Sequence, residues 1–324
     1  MSTVNFAFAG FRHGHIFSLY NRLKGHPVIQ VVAACEPDSA ARAAAEKAGV
    51  KFTHASYADL LADPAVQVVA IGEAYGNRGK LVVDALRAGK HVLSDKPFCI
   101  TLAELDAIET ELKRTGLKLG CMLDLRTEAN PRTALRLVRE GVIGEIQGVQ
   151  FNGMHPLNYK TGRPDWYFEK GMHGGTINDI GIHAFDYLPV LLNSPIKRAI
   201  AAHAANVAFP EVPWFQNQAA FMLEFESGAV ASGDVSYFAP GFGHPAYWRF
   251  TVCGTKGMLE WNSTPGVLVM HPRSNVDEIV RPDPFTTDYL DDFLGEINGK
   301  PGALTTATNL LTARNALTTQ ALAQ

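Results

Sequence analysis

An aspartate and a histidine four residues apart, Asp179 and His183, sit in the stretch Gly174-Gly175-Thr176-Ile177-Asn178-Asp179-Ile180-Gly181-Ile182-His183. On an α-helix that spacing puts a carboxylate and an imidazole on one face. Imidazole has the unperturbed pKa nearest neutrality, so His183 is the candidate proton acceptor, with Asp179 binding a hydroxyl or tuning the ring. A third candidate, Lys96, lies in Ser94-Asp95-Lys96-Pro97-Phe98. This segment ends what reads as the fifth strand of a nucleotide-binding fold, and ligands collect beyond such strand ends. Pro97 biases Lys96 away from helical geometry, which suits a side chain projected from a strand end. Hydride transfer from an alcohol needs a base for the hydroxyl proton and a polar group for the developing alkoxide. Lys96, Asp179 and His183 supply both.

The 324 residues exceed what one hydrophobic core usually holds, so two domains are expected. Val4–Ala9, Val28–Cys35, Val66–Ile71, His91–Ser94 and Leu117–Leu123 read as apolar strands. They alternate with helical patterns over 16–23, 39–48, 80–88 and 102–114, closed by Gly25, Gly49 and Gly89 in the first three cases. This predicts a doubly wound α/β domain over residues 1–122. After a helix over 134–140 the texture changes to long alternating strands at 146–152, 219–225, 229–237, 248–253 and 258–262, joined by short glycine turns. Residues 123–324 therefore read as an α/β domain with a large, mostly antiparallel sheet, covered on one face by helices over 178–192, 289–297 and 304–323. Its other face is left for an oligomer contact.

Gly10-Phe11-Arg12-His13-Gly14-His15 occupies the place of a dinucleotide fingerprint, between the first strand and the first helix. In G-x-G-x-x-G register Arg12 and His15 replace two glycines, crowding the backbone approach to a pyrophosphate while adding a cation and two imidazoles. Glu36 follows the second strand, where a carboxylate accepts from an adenosine ribose and repels a 2′-phosphate, favouring NAD over NADP. The cofactor candidates are Gly10, Phe11, Arg12, His13, Glu36, Gly72 at the end of the third strand, Asp95 and Lys96. The loop 158–172 carries Lys160, Arg163, Asp165, Trp166 and Tyr167. It reads either as a substrate wall or as a solvated loop anchored by Trp166. His155 and His244 are further wall candidates, and Arg163 hints at an acidic group on the substrate.

Composition removes other classes. The net charge of −3 and the lack of basic clusters interleaved with aromatics oppose a nucleic-acid surface. No apolar run approaches a membrane span, and Met1–Gly10 has no signal-peptide pattern, so a cytoplasmic location is expected. The four cysteines are widely spaced and read as buried thiols. His155, His173, Asp179 and His183 fit no compact ligand motif, so no metal is expected. The G-x-S-x-G elbow of a serine hydrolase is missing.

Gly10–His15, Ala85-Leu86-Arg87-Ala88-Gly89-Lys90-His91-Val92, Asp95-Lys96-Pro97, Glu140-Gly141-Val142-Ile143-Gly144-Glu145, Asp179–His183 and Gly254-Thr255-Lys256-Gly257 recur in this order over nearly the whole chain. Together they resemble the glucose-fructose oxidoreductase, inositol dehydrogenase and rhizopine-catabolism protein family. The resemblance implies an N-terminal Rossmann domain, a C-terminal α/β domain with a large open sheet, NAD or NADP, and dimers or tetramers built through that sheet. It places the family's E-K-P lysine on Lys96 and its D-x-x-x-H pair on Asp179 and His183. A sugar, cyclitol or sugar acid is the implied substrate. Departures are Asp95 for the family glutamate, expected near the nicotinamide ribose, and Ala74-Tyr75-Gly76-Asn77-Arg78 for the common P-N-x-x-H. Two alternatives remain open: NAD-assisted elimination or glycoside cleavage without net redox, and a ligand sensor that has lost catalysis.

Overall fold

A computed structural model describes residues 3–241, 247–271 and 277–323. The chain forms two compact units, the first comprising Met1–Met122, Pro164–Gly174 and Tyr289–Leu310, the second Leu123–Arg163, Gly175–Asp288 and Leu311–Gln324.

In the first unit five parallel strands, β1 (Val4–Ala9), β2 (Ile29–Cys35), β3 (Val68–Ile71), β4 (His91–Ser94) and β5 (Leu119–Cys121), lie in the order β2-β1-β3-β4-β5. The order reverses between β1 and β3, so the loops after those two strands flank the crevice where doubly wound sheets bind ligands. The strand preceding Lys96 is therefore the fourth, not the fifth. Helix α1 (His15–Leu23) buries Ile16, Leu19, Tyr20 and Leu23, the 3.6-residue stripe visible in the sequence. Helices α2 (Ser39–Lys47) and α3 (Tyr57–Ala62) follow, capped by Asp38 and Ser56. Helix α4 spans Tyr75–Arg87, starting five residues before its apolar pattern, and α5 (Leu102–Thr115) opens on a Thr101/Glu104 capping box. The segment 289–310 joins this unit through Phe293, whose ring meets Phe6 edge-on and fills the space beside Gly120.

The second unit opens with helix α6 (Ala129–Arg139) and holds, among the described residues, eight strands: β6 (Ile146–Met154), β7 (Ile196–Ala205), β8 (Gln218–Phe225), β9 (Val230–Ser236), β10 (Trp248–Gly254), β11 (Met258–Trp261), β12 (Val267–Met270) and β13 (Glu278–Val280). Their order is β13-β12-β11-β10-β6-β9-β8-β7, and every pair is antiparallel except β6 with β9. One sheet face buries Phe151, Phe221, Phe250 and Trp261 against helix α7 (Ile182–Leu191), with Phe185 stacked on Phe221 and Tyr187 edge-on to Phe250. Stacked and T-shaped pairs of this kind add to plain area burial.

The expected helix over 178–192 begins as a π-helical turn, Ile177–Gly181, and only then continues as α7. Its start is held by Gln320, whose side-chain oxygen accepts from the amides of Ile177 and Asn178. Gly175 precedes it at φ +94°, and a Cβ there would come within 2.2 Å of the Gln320 side chain. Gly175→Ala is therefore expected to destabilise the protein by about 1–3 kcal/mol, through backbone strain and loss of the Gln320 cap. A urea midpoint equal to that of the parent protein would show that the turn tolerates a side chain.

Candidate active site

The loop after β1 turns sharply at Gly10, which has φ +78° and leaves no room for a Cβ against the Glu73 backbone, 2.8 Å away. Glu36, at the end of β2 and buried, turns its carboxylate into this loop, accepting from the Phe11 amide at 2.5 Å and the Asp38 amide at 2.8 Å. Burial raises its pKa, and the two amides oppose that rise. The amides of Arg12 and His13 both donate to the Gly72 carbonyl. The Arg12 guanidinium lies 3.6 Å from Asp38 and 3.5 Å from Glu73. Three of the loop amides are thus spent within the protein. The first turn of α1 has no side-chain cap and no acidic residue; its Phe17 amide donates to the Gly14 carbonyl, and the positive end of the helix dipole remains to attract an anion.

Asp95 is fully buried at the end of β4 and gathers partners from three segments. Its carboxylate accepts from Arg78 Nη2 at 3.0 Å and the Lys96 amide at 2.8 Å, and meets His13 Nδ1 at 2.5 Å and His15 Nδ1 at 3.0 Å. Burial alone would raise the Asp95 pKa, but the His13 imidazole and the Arg78 guanidinium hold it well below the usual carboxylate range. Burial lowers His13 to about 4 against the pull of Asp95, making it a neutral hydrogen-bonding imidazole. Arg78, also fully buried, donates to the carbonyls of Glu73, Lys96 and Pro97, so it fastens both sides of the lysine's backbone.

Between about pH 6.5 and 4 the unfolded chain binds the His13 proton more tightly than the folded one, so stability is complete above 6.5 and declines as pH falls toward 4. A His13→Asn variant should show a flatter stability profile across that window in urea titrations. A profile parallel to the parent's would mean that His13 titrates normally.

Trp166 lies in a short 3-10 turn, Asp165–Phe168, that belongs to the first unit. It is buried, donates its indole N–H to the Arg12 carbonyl at 3.0 Å, and packs with Tyr75, Tyr167 and His13. Of the two readings of this loop, the geometry matches the anchoring one: Trp166 clamps the nucleotide loop, and its polar atom is already used. Cys35, nearby on β2, is an inert thiol pushed up to about 12 by burial and Glu36.

In the second unit Asp179 is fully buried and accepts a hydrogen bond from Tyr237 Oη. His183 is also buried, with Nδ1 3.6 Å from Asp124 Oδ1 and its ring edge-on to Trp248. That separation is beyond hydrogen-bonding distance, so Asp124 stands beside the ring as a nearby carboxylate and does not fix its tautomer. Arg163 places its guanidinium over the Tyr237 ring, 5.2 Å from the centroid, while donating to the Pro156 carbonyl. His155 packs at a tilt against Tyr247 and shares a 3.4 Å hydrogen bond with its hydroxyl. Asp179, His155 and Arg163 are thus brought together around Tyr237. His244 lies outside the described residues. Asp124, Tyr237, Tyr247 and Glu73 were not singled out by the sequence, because their partners His183, Asp179, His155 and Arg12 are 58 to 92 residues away in the chain.

Family models match both halves of the chain: an NAD-binding Rossmann oxidoreductase model over residues 4–122 and a GFO/IDH/MocA C-terminal domain model over 132–260. The chain belongs to the GFO/IDH/MocA oxidoreductase family. Relatives of this GFO/IDH/MocA protein include levoglucosan dehydrogenase of Pseudarthrobacter phenanthrenivorans, 24% identical over 73% of the chain and 65% of the relative. Others are 1,5-anhydro-D-fructose reductase of Ensifer adhaerens (29%, over 74% and 69%) and the NAD(+) scyllo-inositol 2-dehydrogenase of Bacillus subtilis (28%, over 62% and 56%). The match thus spans about two thirds or less of these relatives. Among solved structures, levoglucosan dehydrogenase in complex with NADH and levoglucosan superposes with TM-score 0.79 at 19% identity, covering 99% of this chain and 96% of that one. Aldose-aldose oxidoreductase from Caulobacter crescentus superposes with TM-score 0.78 at 20% identity, over 99% and 97%. At these identities the superpositions establish the fold.

The first unit of this GFO/IDH/MocA chain is an NAD-binding Rossmann domain, and its residues fit that cofactor. The uncapped α1 N-terminus suits the pyrophosphate, and Gly10 keeps the turn free of side chain. Each Glu36 oxygen retains a second acceptor site for a ribose hydroxyl. Asp95, expected at the nicotinamide ribose, instead has both oxygens engaged by His13, His15, Arg78 and the Lys96 amide.

Proposed function

We propose that this protein is an NAD-dependent dehydrogenase that exchanges hydride with a hydroxyl-bearing carbon of a sugar, cyclitol or sugar acid. The observation that carries this is the pair Asp179 and His183, both buried, the first hydrogen-bonded by Tyr237 and the second 3.6 Å from the Asp124 carboxylate, in a chain whose other unit binds NAD. A buried imidazole beside a carboxylate is suited to taking a hydroxyl proton, and a buried carboxylate fixed by a tyrosine is suited to receiving a sugar hydroxyl. The bound nicotinamide supplies the hydride acceptor. In this reading His183 accepts the proton, Asp179 orients the substrate and Lys96 hydrogen-bonds the reacting oxygen. Glu36 favours NAD over NADP by repelling a 2′-phosphate. Arg163 and His155, grouped around Tyr237, are the proposed substrate contacts, and the names of the relatives support a polyol or sugar ring.

A homodimer or homotetramer formed through the second sheet is part of this proposal, supported by exposed Ile200 and Met222 on β7 and β8. No helix among the described residues is long and apolar enough to cross a membrane, and the four cysteines, none of them in a disulfide, are in keeping with cytoplasmic work. The test is a panel of polyols, sugars and sugar acids with NAD, followed by NADH absorbance. Stoichiometric NADH with one class of substrate is the expected result. Product without NADH would favour elimination or glycoside cleavage, and no turnover with any of them would favour a sensor.

A further inference from the structure

We propose that His13, His15 and Asp95 form a binding site for a divalent transition-metal ion, with zinc the natural occupant. Among the described residues this is the one group of three histidine, cysteine or carboxylate side chains whose ligand atoms lie close enough to share an ion, all within 4.8 Å of one another. The H-x-H spacing at the β1–α1 turn aims both Nδ1 atoms at a single carboxylate, Oδ2 at 2.5 Å and Oδ1 at 3.0 Å. Two imidazole nitrogens and one carboxylate oxygen are the ligand set of three-residue zinc sites that keep a fourth position open. Nitrogen and oxygen donors of this kind select zinc, cobalt or nickel over calcium or magnesium.

The supporting contacts are already in place. Tyr75 Oη lies 3.2 Å from His13 Nε2, so when Nδ1 holds the ion the proton sits on Nε2 and donates to the tyrosine. Arg78 and the Lys96 amide fix the carboxylate from the other side. Trp166 pins the loop through the Arg12 carbonyl. The His15 side chain is 48% exposed and gives an ion its way in. Metal–ligand bonds of about 2.0–2.2 Å require ligand atoms roughly 3.3 Å apart, so the rings have to move by under about 1 Å from their hydrogen-bonded positions. Because Arg78 already neutralises Asp95, the ion's charge is left for its open position, at the anion-attracting first turn of α1.

The test uses the full chain, stripped with chelator and free of nicotinamide cofactor, so its outcome is separate from that of the dehydrogenase assignment. Titration with zinc should show one saturable equivalent per chain, and cobalt should give visible ligand-field absorption. His15→Ala, a change at a half-exposed side chain that leaves the core alone, should abolish both. Tyr75→Phe should weaken binding by about 10–100-fold, as loss of a supporting hydrogen bond does. No saturable binding by the parent protein, or unchanged affinity in His15→Ala, would overturn the proposal.

Discussion

Replacing Lys96 by methionine is expected to lower turnover by at least about 10³-fold while the protein stays folded, because it removes the proposed hydrogen-bond donor to the reacting oxygen and nothing from the backbone. Its main chain is held independently of the side chain: its amide donates to Asp95 and its carbonyl accepts from Arg78. Methionine keeps the apolar stem of a side chain that is only 2% exposed. The loss should fall on kcat and kcat/KM together, as for an interaction made mainly in the transition state. A change confined to KM would make Lys96 a binding residue, and unchanged kinetics would remove it from the mechanism.

Arg78→Met should cause the largest loss of stability of any single change considered, about 3–5 kcal/mol, because it leaves the buried Asp95 charge without its guanidinium. It also deprives the carbonyls of Glu73, Lys96 and Pro97 of a donor. Acid behaviour offers a second readout. Asp95 is held well below its unfolded pKa, so its contribution is present above about pH 4 and is lost as pH falls below that value. Without Arg78 the folded-state pKa rises, and less stability remains to be lost there. Arg78→Lys should recover only part of the difference, since an ammonium replaces a planar fork by a point charge. Denaturant titrations at neutral and acid pH measure both effects; a loss below about 1 kcal/mol would show that the Asp95 cluster holds without the guanidinium.

Much of this arrangement is legible in the sequence where one local rule decides it. The alternation of apolar strands with glycine-stopped helices gave the parallel sheet of the first unit, and the E-K-P-like and D-x-x-x-H patterns located Lys96, Asp179 and His183. What escaped depends on partners distant along the chain. Arg78 stood out as a departure from a family pattern, but its hold on the Lys96 backbone requires α4 to run beside β4. Asp124 and Tyr237 meet His183 and Asp179 across 59 and 58 residues, and no periodicity announces either contact. The π-helical turn at Asp179 is invisible to a search for a 3.6-residue period. Strand β7, Ile196–Ala205, is half alanine, and β12 and β13 are four and three residues long, so none carried a β-branched alternating signal. Trp166 illustrates the converse: an aromatic in a polar loop suggested a substrate wall as readily as an anchor, and only its bond to Arg12 distinguishes the two.

Hydride transfer between substrate carbon and nicotinamide is followed by the fate of an isotope. A polyol that turns over is deuterated at the carbon bearing the reacting hydroxyl and incubated with NAD and the enzyme. A slowed reaction and reduced cofactor carrying the deuterium on its nicotinamide ring are expected. Product formed with the label lost to water, or with no label on the cofactor, would contradict hydride transfer.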